Sequence, residues 1–227
     1  MSSNFYKEVK KMKDRALKNP AYWVILGLSL VLSIWIYFTT PAKIVPVHLN
    51  IKGEVDGYGH KFSATFLFTI IILLMGALMA YCDKIDPYRE NVRRSRRAVK
   101  PILNIVSAFM LFFQIVFAWL IKTGSKTVDS SIFVIALGVL MILLGNYLPT
   151  VKRNFFVGIR VPWTLASDEV WRRTHRLGGW LFIAVGLWMI VAALLRLGWE
   201  FWAIPAIIIL VYVSIVYPYY LFKKLQA

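Results

Sequence analysis

Six long apolar runs decide what this chain can fold into. They extend from Ala21 to Thr40, Phe62 to Cys82, Ile102 to Ile121, Ser130 to Pro149, Leu177 to Leu195 and Phe201 to Phe222, and none holds Asp, Glu, Lys, Arg or His in its interior. About 20 residues rising 1.5 Å each cross a hydrocarbon core of about 30 Å as a helix. The apolarity is continuous and lacks the period-2 alternation of a barrel strand. The expected fold is an all-α integral membrane protein with six transmembrane helices. Six spans and their connections consume nearly all of the 227 residues, so no separate soluble domain fits. A soluble chain would carry about a quarter charged residues; here the share is 17%.

Lys and Arg near span ends are retained on the cytoplasmic side. Twenty-one of the 27 fall in the N-terminal segment, the second and fourth connections and the C-terminus. Both termini are therefore expected to be cytoplasmic. Residues 1–20 read as a basic cytoplasmic tail before a retained helix, because no small-residue cleavage site follows the apolar run. This bias accounts for the net charge of +16. It points to anionic lipids as the partners of the basic blocks and gives no reason to expect direct nucleic-acid binding.

Ion-coupled carriers place costly ionisable groups inside the membrane, and these spans have none. Their polar residues, Ser29, Ser33, Thr69, Asn104, Ser107, Gln114, Asn146 and Ser214, are neutral and suit interhelical hydrogen bonds. Asn104, Ser107 and Gln114 are spaced to share one helix face. Gly27, Gly76, Gly138, Gly145 and Gly186 permit close helix packing. Cys82 is the sole cysteine and receives no role.

Two connections carry the remaining information. In the external loop 41–61, Gly53, Gly57 and Gly59 beside Asp56 read as turn chemistry, and the alternation over Ile44 to Ile51 predicts a short extended piece. His48, His60, Glu54 and Asp56 include metal-ligand types, but no tight spacing supports a metal. In the motif loop 149–177, Ser167 is a good N-cap, with Asp168 and Glu169 at the positive end of a helix dipole. A helix should start there and run unbroken into the fifth span. Trp171, His175 and Gly178 share one face of it, which predicts that Trp171 and His175 pack on the bundle. Arg160, Asp168, Glu169 and His175 include acid/base types. No nucleophile with an orienting partner or phosphate-binding glycine loop accompanies them, so neither catalytic residues nor a cofactor are expected. Arg160, Pro162 and Trp163 form a rigid amphipathic cluster suited to protein or lipid recognition.

The run Gly145-Asn-Tyr-Leu-Pro149, then Asn154-Phe-Phe-Val-Gly158-Ile-Arg160-Val-Pro162-Trp163-Thr164-Leu165, then Ser167, Glu169, Trp171, Thr174, His175, Arg176 and Gly178, resembles the core signature of the SdpI family of bacterial membrane proteins. Pro46-Val-His48-Leu-Asn50 with Gly53, Asp56-Gly57 and Lys61 resembles the short membrane domain of unknown function that commonly precedes that core. The resemblance implies an N-terminal two-span domain over 21–100 and a four-span core over 101–227. It implies a multi-pass protein of the bacterial plasma (inner) membrane that is not an enzyme. It further implies immunity to a secreted antimicrobial peptide of the sporulation-delaying type, and a second activity in which a transcriptional repressor is held at the membrane. The external residues His48, Asn50, Gly53, Asp56, Gly57 and Lys61 would meet the toxin. The repressor-facing set would be Asn154, Gly158, Arg160, Pro162, Trp163, Thr164, Ser167, Glu169, Trp171, His175 and Arg176. Two rivals remain open: a membrane-embedded enzyme or small-molecule or lipid carrier using the His/Arg/Asp motif, and an envelope protein in which Trp163 and Trp171 merely close the bundle.

Overall fold

Backbone amides in hydrocarbon must bond within their own segment, so apolar runs close into helices. The computed structural model describes residues 19–226, and all but the last two residues of the expected basic tail lie outside the described residues. In chain order the elements are α1 (Pro20–Thr39), β1 (Ile44–Leu49), β2 (Val55–His60), α2 (Lys61–Ile85), α3 (Arg89–Arg94), α4 (Arg96–Thr123), α5 (Ser130–Tyr147), α6 (Pro162–Ala166), α7 (Asp168–Leu194), α8 (Trp199–Val211) and α9 (Tyr217–Gln226). Among the described residues, six helices are long and apolar enough to span a membrane, the last being α8 and α9 joined as Trp199–Gln226. The join is a π turn over Tyr212–Val216. Pro218 has no N–H and its ring crowds the carbonyl four residues back. The wider turn relieves this, with the Tyr217 N–H reaching the Tyr212 carbonyl, and it seats the fully buried Val213 against Leu148 and Ile159.

Helices α1, α2 and α4 pack on one another, α5 packs on α7, and α4 meets α5 along a seam between the two groups. Lipid tails are as apolar as leucine, so apolarity alone cannot specify which helix faces meet. In the first group polar side chains do so. Ser29 Oγ donates to Gln114 Oε1 at 2.5 Å and lies 2.6 Å from Thr69 Oγ1. Gln114 Nε2 donates to the Ser29 carbonyl at 2.9 Å and to Ser33 Oγ at 2.8 Å. Nearer the chain start, Asn19 and Asn104 exchange amide hydrogen bonds of 2.8 and 3.1 Å. Ser107 is buried on the same helix.

Between α5 and α7 small residues do the same work. A Cβ on Gly138 would lie 2.7 Å from the Gly186 carbonyl oxygen, and one on Gly145 would lie 2.7 Å from that of Gly179. Both pairs are seven residues apart on their helices, about two turns, so the antiparallel backbones touch twice along one stripe.

Beyond the far end of α1, β1 and β2 form an antiparallel hairpin. Here the turn reading of loop 41–61 needs correction. Gly53 does occupy a turn, with φ +81°, but Gly57 and Gly59 lie within β2. Both are extended, and glycine is needed for room: a Cβ on Gly57 would lie 2.7 Å from His48 Cβ, and one on Gly59 2.9 Å from Val47 Cγ1. The hairpin is fastened to the α4–α5 connection, since the Val55 N–H donates to the Lys126 carbonyl and the Val128 N–H to the Gly53 carbonyl, each at 2.8 Å. A Cβ on Gly53 would overlap the Val128 carbonyl oxygen.

Candidate functional site

At the opposite end of the bundle, residues 148–167 make a loop with little regular structure, so its backbone polar groups need other partners. Asn154, buried, supplies four. Its Oδ1 accepts from the Phe156 and Val157 N–H groups at 2.8 and 2.7 Å, and its Nδ2 donates to the Lys152 and Val157 carbonyls at 2.7 and 3.0 Å. Thr164, also fully buried, accepts from the Val161 N–H at 3.0 Å and lies 2.8 Å from the Ile159 carbonyl, fixing the entry to α6. Pro162 at the first position of α6 costs no helix hydrogen bond. Ser167 then caps α7 by accepting from the Val170 N–H, and α7 continues from Asp168 through the membrane without a break.

The centre of this end is a clamp between Trp171, His175 and Gly158. The Trp171 and His175 rings stack with centroids 4.0 Å apart. Trp171 Nε1 donates to the Val151 carbonyl at 2.8 Å. The Ile159 N–H donates to His175 Nε2 at 3.0 Å, and His175 Nδ1 lies 2.8 Å from the Trp171 carbonyl. That pair of partners defines a neutral ring protonated on Nδ1. Gly158 crosses the rings at φ +119°, where a Cβ would meet Trp171 Cζ2 at 3.0 Å. Glycine is therefore required twice over, by conformation and by space.

The residues singled out from the motif thus separate into two kinds. Asn154, Gly158, Thr164, Ser167, Trp171 and His175 build the loop, and His175, with 0% exposure and both nitrogens engaged, has no solvent-facing atom. Arg160, Glu169 and Arg176 lie nearer solvent. Arg160 Nη1 donates to the Phe155 carbonyl at 2.5 Å. Glu169 pairs with Arg172 and, at 2.5 Å, with Arg173. Trp163 is half-buried with its ring edge against Tyr219 of α9, centroids 5.2 Å apart. The external set divides the same way. Asn50 Oδ1 accepts from the Lys52 and Glu54 N–H groups, and Lys61 Nζ donates to the Thr40 carbonyl at 2.8 Å. His48 and Asp56 are exposed, with Nδ1 and Oδ1 2.5 Å apart. Among the described residues no three His, Cys, Asp or Glu side chains converge as metal ligands would.

Sequence reasoning missed the second connection, which it read only as positive charge. Asp86 is 3% exposed. Its Oδ1 accepts from the Tyr88 N–H at 2.7 Å and its Oδ2 from the Phe155 N–H at 2.8 Å. Ser95 Oγ accepts from the Lys152 N–H, and Asn91 Nδ2 donates to the Arg153 carbonyl. The Tyr88 ring stacks on Phe155 at 5.7 Å, and the Arg153 guanidinium lies 4.4 Å from the Tyr88 centroid. Arg153 also pairs with Asp168 at 2.9 Å. The segment before α4 therefore docks directly onto the motif loop. The local signal was Asp86-Pro87, a turn-initiating pair in a basic stretch, but its partner lies 69 residues away. Asp86→Ala strands two backbone donors and is expected to cost about 2 kcal/mol, read as a lower melting temperature and faster proteolysis near Phe155.

Comparison with known proteins bears on both halves. Residues 150–218 match the SdpI/YfhL protein family. That match takes in the motif loop, α7 and α8. Residues 24–73, covering most of α1, the hairpin and half of α2, match a domain of unknown function, DUF1648. Across its length the chain is 26% identical over 216 residues to the Immunity protein SdpI of Bacillus subtilis (strain 168), spanning 92% of this chain and 98% of that protein. No solved structure matches it. With six membrane-spanning helices and this relationship, it is a multi-pass plasma-membrane protein. The residues matched to the SdpI/YfhL protein family take in the whole clamp, from before Val151 to beyond His175.

Proposed function

We propose that the chain is a membrane immunity protein that protects a bacterium from a secreted, membrane-active peptide. The observation that carries this reading is the near end-to-end relationship to the Immunity protein SdpI. The finer assignment rests on topology. Positive residues concentrate at the motif end, so that end is cytoplasmic by the positive-inside rule, with the start of α1 and the end of α9 beside it. The hairpin then meets the peptide, with His48 and Asp56 as its exposed polar pair, while Arg160, Trp163 and Arg176 offer a cytoplasmic surface to a repressor. Binding outside alters that surface only if it favours one packing of the bundle over another. A catalytic or carrier role has less support, because His175 is sealed with both ring nitrogens engaged. Sensitive cells expressing the chain should survive sporulation-delaying peptide at doses that kill cells with an empty vector. Equal killing at verified membrane expression would overturn the reading.

A further inference from the structure

The tight α5–α7 seam ends where Pro149 packs on Gly179, a Cβ there lying 2.7 Å from Pro149 Cγ. Pro149 and the first turns of α7 bound a groove of about 430 Å³, lined by Glu169, Arg172, Arg173 and Arg176. Glu169 orients two of these guanidiniums. It accepts from Arg172 Nη2 and, at 2.5 Å, from Arg173 Nε. The Arg173 contact thus uses Nε and not the two terminal nitrogens, which form the end-on fork for a phosphate. Along α7, Arg173, Arg176 and Trp180 fall at i, i+3 and i+7, on one face. Trp180 lies about 6 Å deeper than Arg176 and is 69% exposed within a membrane-spanning helix. Leu187 and Val191, also exposed, carry the same face further in. The face therefore runs from guanidiniums through an amphipathic indole to apolar side chains. That is the order of a phospholipid's own phosphate, ester and acyl chain.

We infer that this groove seats one anionic glycerophospholipid, its phosphate gripped by Arg172, Arg173 and Arg176 and an acyl chain laid along Trp180 and Leu187. Guanidinium forks match phosphate oxygens in pairs, and basic pockets between spans take anionic headgroups. A free phosphate shares the headgroup chemistry but has no use for the apolar face that leads away from the groove. A choline headgroup is disfavoured, because its own cation meets the guanidiniums. The same turns of α7 carry Trp171 and His175 among their buried residues. The lipid thus holds the outer side of the helix whose inner side forms the clamp. This inference does not depend on the immunity reading.

The test uses the full chain in nanodiscs of equal phosphatidylglycerol and phosphatidylcholine, with retained lipid counted by native mass spectrometry. The expected result is selective retention of phosphatidylglycerol. Arg172→Gln with Arg176→Gln should cut that retention by about tenfold or more, each basic residue near an anionic surface being worth about fivefold. Arg172→Lys with Arg176→Lys keeps the charge and removes both forks, and should still cut it by about fivefold. Arg89→Gln with Arg94→Gln removes the same charge from α3 and likewise breaks an Arg–Glu pair; it should leave retention unchanged, as should millimolar inorganic phosphate. Unselective retention, full retention by the lysine variant, an equal loss in the Arg89/Arg94 variant, or displacement by phosphate would each overturn the inference. The second and third would reduce the seat to diffuse surface charge, and the last would reassign it to free phosphate.

Discussion

Gly145→Leu should remove most folded protein from the membrane. Its new Cβ would lie 2.7 Å from the Gly179 carbonyl oxygen and 3.0 Å from both Ile183 Cγ1 and Phe182 Cβ. Rotamer changes can move a side-chain obstacle, but here the first obstacle is backbone, so α5 and α7 must separate. Separation also opens the Gly138–Gly186 contact two turns away. Overpacking of cores costs about 1–3 kcal/mol, and with a backbone obstacle we expect about 3 kcal/mol or more. Gly27→Leu is the matched control, because nothing lies within 4 Å of a Cβ there. Melting temperature and membrane level should fall for Gly145→Leu and hold for Gly27→Leu. Equal behaviour of the two would contradict the α5–α7 contact.

The second large effect is expected at His175. Alanine there leaves the buried Ile159 N–H without an acceptor, at about 1–3 kcal/mol, and opens a cavity beneath Trp171, at about 2–5 kcal/mol. We expect about 4 kcal/mol in total, with faster amide exchange at Val157 to Ile159. His175→Gln restores an acceptor but not the stacked ring, and should recover about 1 kcal/mol. A general base at this position would make the Gln variant inactive even where it folds. A positioning role predicts function in proportion to folded protein.

Much of the fold was legible because bilayers punish ambiguity. Each run without an interior charge became a helix, and the start of α7 was readable from Ser167, Asp168 and Glu169. The stacked face of Trp171 and His175 followed from helical spacing. Gly57 and Gly59 were misread because glycine signals both turns and close approach, and only the positions of Val47 and His48 across the hairpin separate the two. The motif itself mixes loop-building residues with exposed ones, and sequence has no means of sorting them. Asn154 and Arg160 stand equally within it, yet one is buried and the other open. Asp86, Asn91 and Ser95 went unseen because their partners, Phe155, Arg153 and Lys152, lie 57 to 69 residues along the chain. The paired seven-residue glycine spacing in α5 and α7 was present in the sequence, but which glycine faces which is a fact of packing.

The most direct test of the proposed function is survival of sensitive cells under sporulation-delaying peptide, at matched membrane levels. The comparison takes the unaltered chain, a His48→Ala, Asp56→Ala double variant, Arg160→Ala and an empty vector. The account predicts protection by the unaltered chain and by Arg160→Ala, and its loss in the double variant, since both exposed hairpin groups would face the peptide. Protection that survives the double variant would contradict engagement through that pair, and no protection by the unaltered chain would contradict the immunity reading itself.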